Sequence, residues 1–215
     1  MKRAIVFGAG ALAVVVLIGG ALWTSQSRRV TGGGWEEKPL EGLQVFGQVP
    51  QFNLTERSGV AVTVADLKGK ISVVNFIYTS CPDTCPLQSA EIRDLQEGFA
   101  QASAVRFFSI TVDPQRDTPQ VLRKYAARFK ADSERWLFLT GNKEDIHRLA
   151  QEGFHLSAAE IPHAHRPPSG ATHAHSPRFV LVDRKAQIRG YYSSTDKEAL
   201  ARLRRDLERL VHEQG

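Results

Sequence analysis

The chain has 215 residues, of which 42% are hydrophobic and 24% are charged, as in an ordinary globular protein with one good core. Its formal net charge is +5. The basic residues are spread along the chain, without the clustered patch and base-stacking aromatic residues that nucleic-acid binding usually shows. Composition therefore argues against a nucleic-acid partner.

An apolar segment near the start is long enough to cross a membrane. Residues Ala4 to Trp23 carry no charge, and about 20 helical residues at 1.5 Å each span a hydrocarbon core. A cleaved signal peptide is the alternative, but the length of the run and its closing tryptophan favour an uncleaved anchor. The predicted organisation is an anchor over 1–23, a glycine-rich flexible tether over 24–48 and one domain over 49–215.

The domain is expected on the outer side of the inner (plasma) membrane, in the periplasm or another extracytoplasmic space, because cysteines and histidines suit that compartment. Its strand and helix patterns alternate. Short edge strands are predicted around Phe52–Leu54 and Val60–Val62, and Ile71–Tyr78 is a nearly continuous apolar run, typical of a strand covered on both faces. A helix over Pro86–Phe99 and a strand over Val105–Val112 follow.

The second half of the domain continues the alternation. Its predicted elements are a helix capped by Thr118 with Pro119 first, a strand over Trp136–Leu139, a short helix capped by Asn142, a hairpin of Phe179–Asp183 and Ile188–Tyr192, and a last helix capped by Asp196. This order predicts an α/β fold: a thioredoxin-like central mixed sheet flanked by helices, preceded by the transmembrane helix.

Cys81 and Cys85 are the only cysteines, and they lie between a predicted strand and a predicted helix. They share one face if the segment is helical, or lie across a tight turn if it is not. Either geometry allows the Cα separation of about 5.5–6 Å that a disulfide needs. Pro86 begins the predicted helix and puts Cys85 at its N-terminus, where the helix dipole favours a thiolate.

A structural disulfide is the simplest alternative for two cysteines outside the cytoplasm. However, a bridge between Cys81 and Cys85 closes a very short loop and so constrains the unfolded chain little. The flanking Pro82 and Pro86 are also unusual for a purely structural bridge. The pattern favours a working pair of thiols, for redox chemistry or for a metal.

Thiolates are soft ligands that select Cu(I) or zinc, and zinc usually takes more cysteines than this chain has. The single methionine is Met1, so two cysteines and one of seven histidines form the remaining ligand set, which suits copper. His175 is singled out because it precedes the predicted strand Phe179–Asp183, at a junction that faces the cysteine turn in a thioredoxin-like sheet. The His- and Pro-rich loop from His155 onward is a candidate for a second, weak metal site.

Four segments follow one another in a recognisable order. Cys81–Pro86 reads Cys-Pro-Asp-Thr-Cys-Pro, and Asp113–Pro119 reads Asp-Pro-Gln-Arg-Asp-Thr-Pro. They resemble the Cys-Pro-Asp-x-Cys-Pro and Asp-Pro-x-Arg-Asp-Thr-Pro motifs of the Sco/SenC family of copper chaperones. Trp136–Gly141 and His175–Ser176 ahead of a strand also match, and the set covers about Gln48–Tyr192.

The resemblance implies a membrane-anchored protein that binds one copper ion through Cys81, Cys85 and His175. It also implies a role in assembling the binuclear copper centre of cytochrome c oxidase. The expected partners are the copper-site subunit of that oxidase and a thiol reductant or copper donor protein.

The second motif brings three more candidates. The resemblance places Asp113, Arg116 and Asp117 at the neighbouring strand end. The alternative is that these residues only build a capped helix start, for which Thr118 and Pro119 are sufficient.

A periplasmic thiol–disulfide oxidoreductase that acts on the cysteines of copper-site proteins is the second functional hypothesis, with Cys81 and Cys85 as its catalytic redox pair. Pro177 lies six residues before Asp183, where thioredoxin-like reductases have a proline beside their cysteines. A cis peptide bond at Pro177 would favour disulfide exchange over copper binding. An interaction module, in which the cysteines do no chemistry, is the third hypothesis.

Overall fold

A computed structural model describes residues 43–213 of the chain. The predicted anchor over 1–23 and most of the predicted tether lie outside the described residues. Within 43–213, none of the helices is long and apolar enough to cross a membrane.

The described part contains ten strands and four α-helices. The strands are β1 (Gly47–Gln48), β2 (Asn53–Glu56), β3 (Ala61–Thr63), β4 (Ile71–Ile77), β5 (Val105–Thr111), β6 (Trp136–Thr140), β7 (Ala158–Glu160), β8 (His173–His175), β9 (Arg178–Val182) and β10 (Gln187–Ser193). The helices are α1 (Thr84–Gly98), α2 (Pro119–Arg128), α3 (Lys143–Arg148) and α4 (Lys197–His212). Single 3-10 turns cover Val64–Asp66 and His163–His165, and a π-helical turn covers Leu149–Gly153.

Eight strands form one mixed sheet in the order β1-β10-β9-β4-β5-β6-β2-β3, and β7 and β8 pair separately. The strand β4 runs parallel to β5 from Ile71 opposite Val105 to Ile77 opposite Thr111, and β9 is antiparallel to β4. All seven residues of β4 are buried, as its continuous apolar run predicts. The mixed sheet with flanking helices confirms the predicted thioredoxin-like α/β fold.

The helix starts follow the capping residues in the sequence. The side chains of Thr118, Asn142 and Asp196 each accept hydrogen bonds from backbone N–H groups of the first turn that follows. These caps satisfy donors that the helix itself leaves unpaired. The helix α1 begins at Thr84, two residues before the predicted start at Pro86, so Cys85 lies inside its first turn.

Three local features differ from the sequence-based predictions. The strand β2 is not an edge strand, because it pairs with both β3 and β6. The sheet already includes β1, in a stretch whose composition indicates a tether, because Gly47 and Gln48 pair with Ile188 and Gln187 of β10. The hairpin of β7 and β8 lies inside the predicted loop. Its sequences lack the β-branched and aromatic residues that mark strands, so pairing with a distant partner decides its structure.

Candidate metal centre

The cysteine turn joins the end of β4 to the start of α1. The Cys81 N–H donates to the Tyr78 carbonyl oxygen at 3.2 Å, and the Cys85 N–H points at Cys81 Sγ at 3.5 Å. The two cysteines are not joined in a disulfide, with Cys85 fully buried and Cys81 9% exposed. The turn therefore holds both sulfurs below the surface, and of the two cysteines only Cys81 keeps some exposure.

A buried carboxylate holds this turn in place. Asp117 is fully buried and accepts a hydrogen bond from the Thr79 N–H at 2.9 Å. It also accepts from the hydroxyl groups of Thr79 and Thr111. Burial raises the pKa of Asp117, and the hydrogen bonds from the two threonines oppose that rise. Asp117 thus ties the segment two residues before Cys81 to the end of the neighbouring strand β5.

The other two residues of the second motif lie further out. The Asp113 carboxylate is 3.6 Å from the Arg116 guanidinium, whose side chain is 63% exposed. The Asp113 N–H donates to Thr111 Oγ1 at 3.0 Å. Asp113 and Arg116 line a cavity of about 490 Å³ together with His173. A functional role for Asp113, Arg116 and Asp117 stays a prediction.

His175 reaches the cysteine turn from the other end of the chain. It lies in β8, opposite Ala158 of β7, and its Nε2 is 3.1 Å from Cys85 Sγ. Its Nδ1 is 3.4 Å from the Ser176 carbonyl oxygen, which can only accept a hydrogen bond. A proton on Nδ1 would be donated to this oxygen, and a proton on Nε2 would be donated to the sulfur, so both ring nitrogens have a partner.

The structure brings together the three residues predicted as ligands. The two Sγ atoms of Cys81 and Cys85 and a ring nitrogen of His175 all lie within 4.8 Å of one another. They are the only such group of three or more metal-ligating side chains among residues 43–213. In particular, the histidines of the loop from His155 onward form no second group of this kind within the described residues.

The pKa values of Cys81 and Cys85 shift in opposite directions. The pKa of Cys81 falls to about 3, chiefly because its sulfur accepts a hydrogen bond from the Cys85 thiol; burial opposes this, and a contact with His175 adds to it. The pKa of Cys85 rises, because its thiol donates to Cys81 and because it is buried. The pair is therefore one thiolate and one thiol, with the thiolate on Cys81.

Tyr78 belongs to the centre, although its residue type carried no signal of this in the sequence. Its buried ring contacts two histidines, with ring centroids 5.2 Å from His173 and 5.8 Å from His175. Burial raises the pKa of its hydroxyl, and a hydrogen bond to Cys81 raises it further. Only its place three residues before Cys81, at the end of an apolar strand, could have indicated a role.

No cis peptide bond occurs among residues 43–213, so the bond before Pro177 is trans. The condition under which Pro177 would favour disulfide exchange is therefore not met. Instead, the Pro177 carbonyl oxygen accepts hydrogen bonds from the N–H and the hydroxyl of Ser194.

The model of the SCO1/SenC family matches residues 44–212, most of the chain. The chain belongs to the SCO1/SenC family. This confirms the resemblance that the motifs indicated. A curated relative, the SCO1 protein homolog of Bacillus subtilis, is 35% identical over 109 residues, which cover 50% of this chain and 56% of that protein. The chain thus spans about half the length of this relative.

Solved structures show the same fold. ScoI of Bradyrhizobium japonicum, solved with copper bound, is 29% identical with a TM-score of 0.59, and the match covers 76% of this chain and 99% of that one. BsSco, described as a member of the Sco family of cytochrome c oxidase assembly proteins with a disulfide switch, is 26% identical with a TM-score of 0.67. That match covers 81% of this chain and 100% of the other.

Proposed function

We propose that this protein is a membrane-anchored copper chaperone that binds one copper ion through Cys81, Cys85 and His175. Its task is to assist assembly of the binuclear copper centre of cytochrome c oxidase. The observation that carries the proposal is the convergence of two sulfurs and one imidazole nitrogen within 4.8 Å. These donors come from segments 90 residues apart in the sequence, as the contact between Cys85 and His175 shows.

The donor set fits copper in both oxidation states. Two thiolates suit Cu(I), and an imidazole nitrogen adds the ligand that Cu(II) prefers. The lowered pKa of Cys81 favours its thiolate, and the raised pKa of Cys85 favours its thiol. Copper binding therefore releases the Cys85 proton, since a thiolate and not a thiol is the ligand. A proton on His175 Nδ1 can be donated to the Ser176 carbonyl oxygen, which keeps Nε2 available.

Two relatives support the assignment of copper and of the oxidase. ScoI of Bradyrhizobium japonicum has been solved with copper bound, and BsSco is described as belonging to a family of cytochrome c oxidase assembly proteins. The partner that would accept the copper here is the copper-site subunit of cytochrome c oxidase. A copper donor protein or a thiol reductant would act before it.

The proposed topology is a single anchor over Ala4–Trp23, a tether and an extracytoplasmic domain. The support is the length of the uncharged apolar run. Alkaline carbonate extraction should leave the full-length protein in the membrane pellet. Recovery of a mature soluble form that begins near Ser25 would contradict the anchor.

Copper stoichiometry tests the proposed function directly. The full-length protein, purified in detergent and reduced, should bind one equivalent of Cu(I) per chain. The matched control is a chain with both thiols blocked by alkylation, which should bind none. A reduced chain that takes up no copper would refute the chaperone assignment.

A thiol–disulfide oxidoreductase is the second candidate, because Cys81 is a thiolate beside a buried thiol. In this function the Cys81 thiolate attacks a disulfide of the partner and releases one thiolate. The Cys85 thiol, once deprotonated, then displaces the partner's second thiolate and leaves a Cys81–Cys85 disulfide. This candidate predicts rapid reduction of a small-molecule disulfide by a protein that does not take up copper.

A further inference from the structure

A single file of buried hydrogen bonds crosses the domain from β6 to the histidine loop, which we define as Ser176 and Pro177, between the end of β8 at His175 and the start of β9. It begins where the Trp136 indole N–H donates to Ser109 Oγ at 2.9 Å. The Ser109 hydroxyl donates to Asn75 Oδ1 at 2.8 Å, and the Asn75 amide faces Gln88 Oε1 at 3.5 Å. All four side chains are fully buried.

The second half of this file connects the cysteine helix to the histidine loop. Gln88 lies on α1, three residues after Cys85, and its Nε2 donates to Ser194 Oγ at 3.2 Å. The Ser194 hydroxyl donates to the Pro177 carbonyl oxygen at 2.8 Å. Ser194 also donates its N–H to the same oxygen at 2.9 Å. Pro177 is two residues after His175, so the file ends beside the candidate ligand.

At every link, the group nearer β6 donates the hydrogen bond and the group nearer Pro177 accepts it. Aligned hydrogen bonds polarise one another in a low-dielectric interior, and each buried polar group is costly unless it is satisfied. A core built only for stability would use apolar side chains at Gln88 and Ser194. The file instead provides a direct polar connection between α1 and the loop after β8.

We propose that Gln88 and Ser194 are positioning residues that hold His175 at hydrogen-bonding distance from Cys85. Local sequence cannot set that distance, because 90 residues separate the two side chains. The link from Gln88 to Ser194 spans 106 residues and ties the same two regions together.

The opposite side of the histidine loop has its own support. The Ser176 N–H donates to the Ser157 carbonyl oxygen at 2.9 Å, and the Ser157 N–H donates to Ser176 Oγ at 3.0 Å. These bonds hold the loop to β7, but β7 and β8 have three residues each and belong to a separate two-stranded sheet. The Ser194 hydroxyl links the loop to Gln88 of α1.

The decisive variant is Ser194→Ala, which removes the hydroxyl between Gln88 and Pro177 with the loss of one oxygen atom. Its matched control is Ser109→Ala, which removes an equally buried serine hydroxyl from the same file on the far side of Gln88. Both variants should lose comparable stability. Only Ser194→Ala should disturb His175.

The first measurement needs no metal. In the reduced, metal-free full-length protein, the ¹⁵N NMR signals of the His175 imidazole report its contact with Cys85. Ser194→Ala should shift these signals, Ser109→Ala should leave them unchanged, and Ser194→Thr should restore them. Equal shifts in both alanine variants, or none in either, would overturn the inference. If Ser194→Ala does not fold, Gln88→Met interrupts the same link and should produce the same shift.

The second measurement rests on the proposed function and uses Cu(II). Loss of a partner that orients a metal ligand typically costs about 10–100-fold in affinity. Ser194→Ala should therefore weaken Cu(II) binding about tenfold, with no further effect when it is combined with His175→Ala. A wild type that binds no copper but shows the NMR response overturns the proposed function alone. Copper binding that depends on His175 but is equal in Ser194→Ala and Ser109→Ala overturns this inference alone.

Discussion

The two sides of the candidate centre are held in different ways. On the cysteine side, Cys81 and Cys85 share one short turn, which Asp117 ties to the end of β5. On the histidine side, His175 lies on a three-residue strand of a separate small sheet, and Ser194 fixes the loop that follows. The cysteine geometry is thus nearly local, whereas the histidine geometry depends on contacts distant in sequence.

This difference predicts different consequences of mutation. A change on the cysteine side removes a donor or a charge from a rigid turn. On the histidine side, His175→Ala leaves both thiolates in place, and a change in the support of His175 alters only the distance between donors that remain present. The thiolates should therefore decide whether copper binds, and the imidazole should decide how well each oxidation state is held.

The largest expected effect is on the cysteine side. Cys81→Ser or Cys85→Ser should abolish stoichiometric binding of both Cu(I) and Cu(II), because each removes one of two soft ligands. The matched control is Ser80→Ala, an exposed change in the same turn, which should leave binding intact. Copper titration with mass spectrometry of the loaded protein measures both. One bound Cu(I) in either cysteine variant would exclude the two-thiolate site.

On the histidine side, His175→Ala should weaken Cu(II) binding clearly and Cu(I) binding less, because Cu(II) prefers nitrogen ligands. The control is His173→Ala: this side chain is buried against Tyr78 but does not belong to the group of three ligands. Competition titrations with each copper ion separate the two variants. If His173→Ala weakened Cu(II) as much as His175→Ala, the assignment of the histidine ligand would be wrong.

The different pKa values of the two cysteines predict how the alkylation of Cys81 depends on pH. Because the pKa of Cys81 is lowered to about 3, its thiolate persists from pH 8 to pH 5, and alkylation of Cys81 should change little over that range. In Cys85→Ala, which has no side-chain donor to Cys81, the rate should fall as pH decreases. Peptide mapping after iodoacetamide treatment assigns the reacting cysteine. Preferential alkylation of Cys85 at pH 5 would reverse the assignment of the thiolate.

The same pair should form a disulfide that is reversible, since the bridge closes too short a loop to be a strong structural link. Mild dithiothreitol should free Cys81 and Cys85 together while the circular dichroism of the domain stays unchanged. Thiol trapping counts the freed groups. Melting of the domain on reduction would favour a structural disulfide instead.

The smallest expected effect concerns the support of the cysteine turn. Asp117→Ala leaves the N–H of Thr79 without its acceptor and should lower the free energy of unfolding by about 1–3 kcal/mol. Asp113→Ala breaks an ion pair with an exposed arginine and should cost less than about 1 kcal/mol. Urea denaturation of both variants measures the difference, and equal losses would show that Asp117 has no special role.

The buried carboxylate also has a pH signature. Burial raises the pKa of Asp117 above its ordinary value of 3.8, so the folded domain holds this proton more tightly than the unfolded chain does. The part of the stability due to this proton is present below pH 3.8 and is lost as pH rises through the folded pKa. Asp117→Asn should flatten this part of the pH profile of stability.

Much of the fold and half of the centre follow from the sequence alone. The continuous apolar run of β4, the caps Thr118, Asn142 and Asp196, and the cysteine turn are local features, because hydrophobic periodicity and capping act within a few residues. Only three residues separate Cys81 and Cys85, so a compact turn is sufficient to bring their side chains together.

Tertiary structure decided the rest. The position of His175 before a predicted strand made it a candidate ligand. Its Nε2 lies close to Cys85 Sγ, however, because β7, β8 and the Ser194 contact hold it there. Gln88, Ser194 and Tyr78 look like ordinary helix, turn and strand residues in the sequence. Their roles arise from partners up to 106 residues away, and hydrogen bonds of that range leave no periodic signal, because they form only when the sheet and α1 have packed together.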